Sequence, residues 1–448
     1  MSEGVGWKFK GSGTLENINM LDKIKRLTNT ENKRRLLSNF MSLSVLQGAN
    51  YVLPLITLPY LVRVLGPEKY GLIAFAQAFI QYFNILTDYG FNLSATREIS
   101  IHRDNAQKVS EIFSSVMIIK FCLLVLSFVI MSILVFSFWK FRQDWLIYYL
   151  TFGMVVGQVL FPVWFFQGME RMKYITFLNI TAKLIFTFAI FVFIRQASDY
   201  IYVPLLNLFG YWVAGALALW IVFRDFKIGF KVPSYSSLIH QLKEGWYIFI
   251  STMAISLYTV SNTFILGIFT NNTIVGYYSG AEKIIKAVQG LLSPISQTVY
   301  PHISKLASES KDQALRFIRK MTFLVGGGSF VLSLVIFIFA DVIVNILLGN
   351  QYLESTAVLR ILAFIPFIVA LSNVFSVQGM IAFGHFKIIP RIVVFGSLLD
   401  IFLIIILYLL SFVNEQSPAI AWLSAEVCVT LLSYKYFRKD TMSYGENN

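Results

Sequence analysis

The chain has 448 residues, of which 56% are hydrophobic and 14% charged, and its mean hydropathy is +0.67. Soluble domains carry about 25% charged residues, so the composition excludes a soluble domain with an anchor and predicts an all-α, polytopic membrane protein. The net charge of +13 does not indicate a nucleic-acid partner, because the basic residues gather at the ends of apolar runs rather than in one patch.

Residues 1–35 are polar and basic, with Lys23, Lys25, Arg26, Lys33, Arg34 and Arg35 crowding the first apolar run. They have no apolar core of the signal-peptide kind and are expected to form a cytoplasmic leader. Twelve spans follow at about 38–63, 70–92, 112–138, 145–167, 174–195, 200–223, 245–269, 275–300, 321–346, 356–382, 388–410 and 417–437. Each is long enough for a bilayer, which takes about 20 apolar residues. With both termini inside, the outer segments hold only Arg63, Lys69, Lys140, Arg142 and Arg195. Most other basic residues fall in inner segments, the longest being 93–111, 224–244 and 301–320. That bias predicts cytoplasmic termini. No segment outside the spans is large enough to fold as a domain.

The first two spans are not plainly apolar. Ser44, Gln47, Asn50, Pro54 and Thr57 recur every three or four residues, and so do Gln77, Gln81, Asn84 and Asp88. Each set lies on one helical face. A polar stripe facing lipid is costly, so both stripes are expected to face a wet interior. The turn between the spans reads Gly66-Pro67-Glu68-Lys69.

An offset of 205 residues lays the second span on the eighth. Gly71 falls on Gly276, Ala76 on Ala281, Gln77 on Glu282, Gln81 on Lys286, Asn84 on Gln289 and Asp88 on Ser293. Gln47, Tyr51 and Pro54 fall on Thr252, Ser256 and Thr259. Six spans separate the copies, so the repeat is parallel. The expected organisation is an N-lobe over 36–223 and a C-lobe over 245–437, related by a pseudo-twofold axis along the membrane normal. A linker at 224–244 joins them, and a tail at 438–448 ends the chain.

Five basic residues lie inside spans. Lys183 is the deepest, with Thr176, Asn179 and Thr187 on its face. Lys283 and Lys286 lie in the outer part of the eighth span, with Gln289, Ser293 and Gln297 continuing that face. Lys120 and Arg360 lie toward span ends, where they either line a lumen or snorkel to the headgroups. Glu282 precedes Lys286 by four residues, the spacing of an internal ion pair. Of the intramembrane carboxylates, Asp400 and Glu426 fall near mid-span. They either carry a proton or sodium ion or pair with a lysine of a neighbouring helix. Asp88 is read as a gating group or a partner for Arg97. Cys122 and Cys428 lie inside spans, and His102, His240, His302 and His385 show no ligand spacing, so no metal site or cofactor is expected. Pro54, Pro59, Pro162, Pro204, Pro294 and Pro366 interrupt spans and bend them.

The run P-L-I-T-L-P-Y-L-V-R-V-L-G-P-E-K-Y-G (54–71), preceded by A-N (49–50) and followed by D-Y-G-F-N-L-S-A-T-R-E-I-S (88–100), resembles bacterial polysaccharide repeat-unit flippases of the Wzx type. The run V-G-Y-Y-S-G-A-E-K-I-I-K (275–286) is similar to the eighth span of that family. The resemblance implies the multidrug/oligosaccharidyl-lipid/polysaccharide exporter fold, with two six-helix lobes opening alternately around a central cavity. It implies a transporter of the bacterial inner membrane, not an enzyme. The substrate would be an undecaprenyl-diphosphate-linked oligosaccharide of the O-antigen type, and the partners a polysaccharide polymerase and chain-length machinery. The lumen groups would be Lys183, Lys286, Lys283, Asn179, Gln47, Asn50, Gln81, Asn84, Arg360 and Lys120. Asp88, Arg97, Asp400, Glu426 and Glu282 would gate or couple transport to protons or sodium. Two other readings remain. A cation-drug antiporter of the same fold wants an acidic lumen. A membrane glycosyltransferase or polymerase wants a sizeable outer loop. Gly326-Gly327-Gly328 lacks the following lysine of a phosphate-binding loop.

Overall fold

The computed structural model describes residues 31–381, 388–410 and 414–442, with Phe383 and Phe412. The leader up to residue 30, His385, Lys387 and the side chains of Thr259, Pro294, Ser293 and Gln297 lie outside the described residues. The described residues are almost entirely helical, and they read in order α1 (Glu31–Asp88), α2 (Phe91–Ile101), α3 (Ala106–Ser137), α4 (Trp139–Arg142), α5 (Trp145–Leu160), α6 (Val163–Gly168), α7 (Met172–Phe193), α8 (Tyr202–Asp225), α9 (Tyr235–Thr259), α10 (Ser261–Phe269), α11 (Asn272–Glu309), α12 (Lys311–Ile338), α13 (Ala340–Leu347), α14 (Ser355–Leu362), α15 (Ile365–Asn373), α16 (Ile389–Leu409) and α17 (Ser417–Met442). A widened turn at Val374–Ile381 extends α15.

Nine helical stretches among the described residues are long and apolar enough to cross a bilayer. The first, Met41–Ile101, spans 61 residues, or about 90 Å at 1.5 Å per residue. That is three times a hydrocarbon core of ~30 Å, so it has to fold back. It does so at Gly66, whose φ of 71° is left-handed, immediately before Pro67. Glycine reaches this region without a Cβ penalty, and the proline that follows has no N–H to continue the ladder. The expected seventh and eighth spans coincide with α9–α10 and α11, which do not count among the nine. The seventh is broken at Val260 into two shorter helices, and the eighth carries Glu282, Lys283 and Lys286.

α1 and α11 make the most extensive helix pairing in the structure. They cross where glycine meets glycine. A Cβ on Gly71 would stand 1.8 Å from the Asn272 carbonyl oxygen, and one on Gly276 would stand 2.1 Å from that of Pro67. The offset of 205 carries Gly71 onto Gly276 and Pro67 onto Asn272, so each contact is the other's counterpart. A reciprocal pair of this kind is what a two-fold relation produces.

A second reciprocal pair lies at the same end. Arg63 Nη2 donates to the carbonyls of Asn345 (3.4 Å) and Ile346 at the end of α13. Lys140 Nζ donates to the carbonyls of Ile268 (3.1 Å) and Thr270 at the end of α10. The same offset maps Arg63 onto Ile268 and Lys140 onto Asn345. The last carbonyls of a helix lack intrahelical partners and carry its negative pole, so a cation from across the interface satisfies both needs. Half-burial lowers the pKa of Lys140 from the ordinary lysine value.

The apolar core follows the same division. At the end holding the short turns at 66, 143, 271 and 349, one cluster runs across the whole bundle. It joins Leu61, Leu65, Phe141 and Tyr148 to Val275, Tyr278, Leu348 and Leu359. At the opposite end, which holds the long basic loops, the clusters are separate. One contains Phe91, Phe113, Trp164 and Ile228, and the others contain Ile303, Ile318, Val374, Met380 and Ile392. Contacts across that end run from α1, α2, α3 and the corner between α1 and α2 to α9, and they include aromatic and polar pairs. Tyr89 stacks on Phe249 at 5.0 Å, Arg97 pairs with Glu244 at 3.6 Å, and Glu98 binds His240 at 2.5 Å and also Gln241.

Replacing Arg63 and Lys140 together by alanine loosens the turn end. The check is maleimide labelling of Val62→Cys, a position with 0% exposure, after Cys122 and Cys428 are changed to serine. Labelling rises several-fold in the double variant. Unchanged labelling would refute the role given to the two cations.

Candidate functional site

A cavity of about 610 Å³ opens within the ring formed by α1, α7, α8 and α5, with α3 behind it. Its size falls in the range of small-molecule sites, ~300–1,000 Å³. The stripes on α1 supply Asn50, Thr57, Gln77, Gln81, Asn84 and Asp88 to its wall. The helical spacing seen in the sequence therefore places these groups on one surface. Lys120 comes from α3 and Asn179, Lys183 and Thr187 from α7. Lys283 reaches in from α11, whereas the other lining residues fall between Leu46 and Ala214.

The pairing of the charges divides them into two sets. Lys120 lies 3.7 Å from Asp88; the lysine is buried and the aspartate half-buried. Asp88 therefore does not pair with Arg97, which instead reaches Glu244 on α9. Lys286 lies 2.9 Å from Glu282, and Glu282 also accepts from Thr263 at 3.2 Å. Arg360 lies 2.5 Å from Asp341 at the turn end and is not among the residues that line the cavity. Lys183 and Lys283 differ. Lys183 Nζ donates to Asn50 Oδ1 at 2.5 Å, and neither lysine has a carboxylate within ion-pair distance among the described residues. A lysine at a helix centre costs about 3 kcal/mol on insertion, so two such groups imply water or an anion beside them.

The amides are partly engaged. Asn84 Nδ2 donates to Gln81 Oε1 at 3.2 Å, while Asn84 Oδ1 is buried without a partner. Asn179 Nδ2 donates to the Ile175 carbonyl at 3.0 Å. Gln47 is half-buried on α1 but is not among the lining residues. Among the lining groups that the sequence did not single out are Thr151 and Gln158 of α5 and Asn207 and Tyr211 of α8. Each stands alone in an apolar run, so no stripe marked it.

Asp400 of α16 and Glu426 of α17 lie elsewhere, in the second half of the chain. Asp400 is 0% exposed, and neither of its oxygens forms a hydrogen bond of ordinary geometry. Asn262 and Tyr278 stand beside it, and Asn262 Oδ1 and Tyr278 Oη are also buried without partners. No described basic side chain forms an ion pair with Asp400. Among the described residues, no group of three or more His, Cys, Asp and Glu could hold a metal ion.

Comparison with known proteins gives consistent results. The family described as polysaccharide biosynthesis protein matches residues 36–307. A protein of Escherichia coli (strain K12), provisionally named an O-antigen transporter, is 35% identical over 413 residues, 92% of this chain and 99% of that protein. Two solved structures share the fold. An inward-facing multidrug resistance MATE family transporter of the MOP superfamily matches with TM-score 0.67 at 13% identity, covering 88% of this chain and 96% of that one. The lipid II flippase MurJ, in an inward closed conformation, matches with TM-score 0.66 at 14% identity, covering 90% and 87%.

Proposed function

Because the chain belongs to the polysaccharide biosynthesis protein family, we propose that it flips undecaprenyl-diphosphate-linked oligosaccharides of the O-antigen type between the leaflets of the bacterial inner membrane. It is a multi-pass membrane transporter and not an enzyme. The observation that carries the substrate reading is the pair Lys183 and Lys283, two cations on one cavity, neither within ion-pair distance of a carboxylate among the described residues.

A diphosphate and its sugars cannot enter hydrocarbon cheaply, because their hydrogen bonds to water would go unreplaced. The cavity offers substitutes. Lys183 and Lys283 meet the diphosphate, each contributing a charge-assisted bond of about 1.5–3 kcal/mol. The amides of α1 and α7 meet sugar hydroxyls, and the polyprenyl tail stays among the lipids. The competing antiporter reading fits less well. Among the described lining residues the one carboxylate, Asp88, is already paired with Lys120, so the wall carries net positive charge and repels a cationic drug.

Movement follows from two six-helix lobes, 36–223 and 245–437, joined by the linker 224–244. The reciprocal contacts of Gly71 with Asn272 and Gly276 with Pro67 support this division, as does the core that is continuous at one end only. The positive-inside bias assigns the basic-loop end to the cytoplasm. The structure then corresponds to a cavity sealed toward the outside. Lys283 is the lumen group from the second lobe, so an anion held between it and Lys183 bridges the lobes and favours their closure. Outward opening breaks the Arg63 and Lys140 bonds, and the carbonyls they release are rehydrated. Coupling resides at Asp400 with Glu426, where a proton or a sodium ion would satisfy the unused oxygens of Asp400, Asn262 and Tyr278.

In a strain dependent on this chain, Lys183→Ala or Lys283→Ala cuts surface polysaccharide about ten- to a hundred-fold, with the protein still present in the membrane. Arg360→Ala has little effect. Full surface polysaccharide in both lysine variants would sink the lumen assignment. In vesicles, substrate movement tracks an imposed proton or sodium gradient, and Asp400→Asn abolishes that dependence. Indifference to both gradients would leave Asp400 and Glu426 as structural groups.

A further inference from the structure

The wall where α5 meets α8 is chemically unlike the rest of the cavity. Two glycines let these helices approach closely. A Cβ on Gly153 would stand 2.1 Å from Leu208 Cδ1, and one on Gly157 would stand 2.5 Å from Tyr211 Cβ. Trp212 Nε1 donates to the Gly153 carbonyl at 2.8 Å and fixes the register. Thr151, Met154 and Gln158 share one face of α5, and Asn207, Tyr211 and Ala214 share one face of α8. All six line the cavity. The close approach thus sets Gln158 beside the face that carries Asn207 and Tyr211.

This wall has no charge. Every lysine that lines the cavity, and Asp88, is on α1, α3, α7 or α11. Thr151 Oγ1 donates its proton to the Ile147 carbonyl at 2.7 Å. The side chains of Gln158 and Asn207 form no hydrogen bond with any described residue, although both are half-buried. An amide offers two donors and an acceptor, which suits the neighbouring hydroxyls of a sugar ring. The Tyr211 ring, half-buried beside them, supplies the apolar surface that the C–H face of a pyranose needs.

We propose that Gln158, Asn207 and Tyr211 form a sugar-reading wall, which receives an uncharged sugar ring adjoining the diphosphate. This rests on the flippase reading and adds a division of labour to it. The lysines recognise the anion common to every such lipid, and the α5–α8 wall recognises what the anion carries.

The test compares two probes on purified protein in lipid nanodiscs: undecaprenyl diphosphate, and the same lipid bearing one N-acetylglucosamine. Wild type binds the sugar-bearing probe about ten-fold more tightly, the worth of one or two net hydrogen bonds. Gln158→Leu with Asn207→Leu, and separately Tyr211→Ala, bring that ratio close to one and leave undecaprenyl diphosphate binding unchanged, which also certifies that the variants are folded. Lys183→Ala weakens both probes equally. A wild-type ratio of one, a ratio that survives in the wall variants, or equal weakening of both probes in them would overturn the wall. Wild type that binds neither probe would overturn the flippase reading itself, and the wall with it.

Discussion

An ammonium group inside a bilayer needs a carboxylate, water or an anion beside it, and much of this structure follows from how that need is met. Lys120 has Asp88, Lys286 has Glu282 and Arg360 has Asp341. Lys183 and Lys283 have no carboxylate within ion-pair distance among the described residues, so the space they share has to stay polar. The stripe on α1 supplies that polarity, and its residues recur at three and four because they occupy one helical face. A wet cavity inside an apolar bundle in turn limits where the core can lie. The continuous apolar cluster is at the turn end, and the clusters at the other end are divided.

The turn end is held by backbone as much as by side chains. Gly71 and Gly276 leave no room for a Cβ, so α1 and α11 touch main chain to main chain. Arg63 and Lys140 flank the contact and bind carbonyls at helix ends. For the proposed outward opening, bonds to carbonyls suit a contact that reopens, since water replaces the cation at modest cost. A hydrophobic seal alone would have to expose its full area on each opening. Using both leaves the interface firm when shut and limits the energy stored against opening.

Much of this was legible in the residues. The polar spacing of 50–57 and 77–88 follows the cavity face of α1, because a stripe is a periodic signal, whereas Ser44 and Gln47 continue the spacing but lie off the lining. The repeat was legible as an offset with few identical letters. The same offset relates the contact Gly71–Asn272 to Gly276–Pro67 and Arg63–Asn345 to Lys140–Ile268, a geometric relation that needs no shared side chains. Other features were not legible. Gln158, Asn207 and Tyr211 are single polar or aromatic residues in apolar helices, and only the close approach of α5 and α8 brings them together. The Glu282–Lys286 pair was legible in its spacing of four, but the partner of Asp88 was not, since Asp88 finds Lys120 across a helix interface while Arg97, nearer in sequence, turns to α9. Asn262 and Tyr278 gather around Asp400 for the same reason, being distant in sequence and adjacent only after folding.

The central claim is that this cavity carries a lipid-linked diphosphate oligosaccharide across the membrane by means of Lys183 and Lys283. Its most direct test uses liposomes holding the purified protein and lipid-linked repeat units. Periodate, which does not cross the membrane, is added at intervals to record how fast the outward-facing sugar is replenished from the inner leaflet. The account predicts at least a ten-fold faster exchange with wild-type protein than with the Lys183→Ala, Lys283→Ala double variant, whose rate matches protein-free liposomes. Equal exchange in wild-type and double-variant liposomes would contradict it.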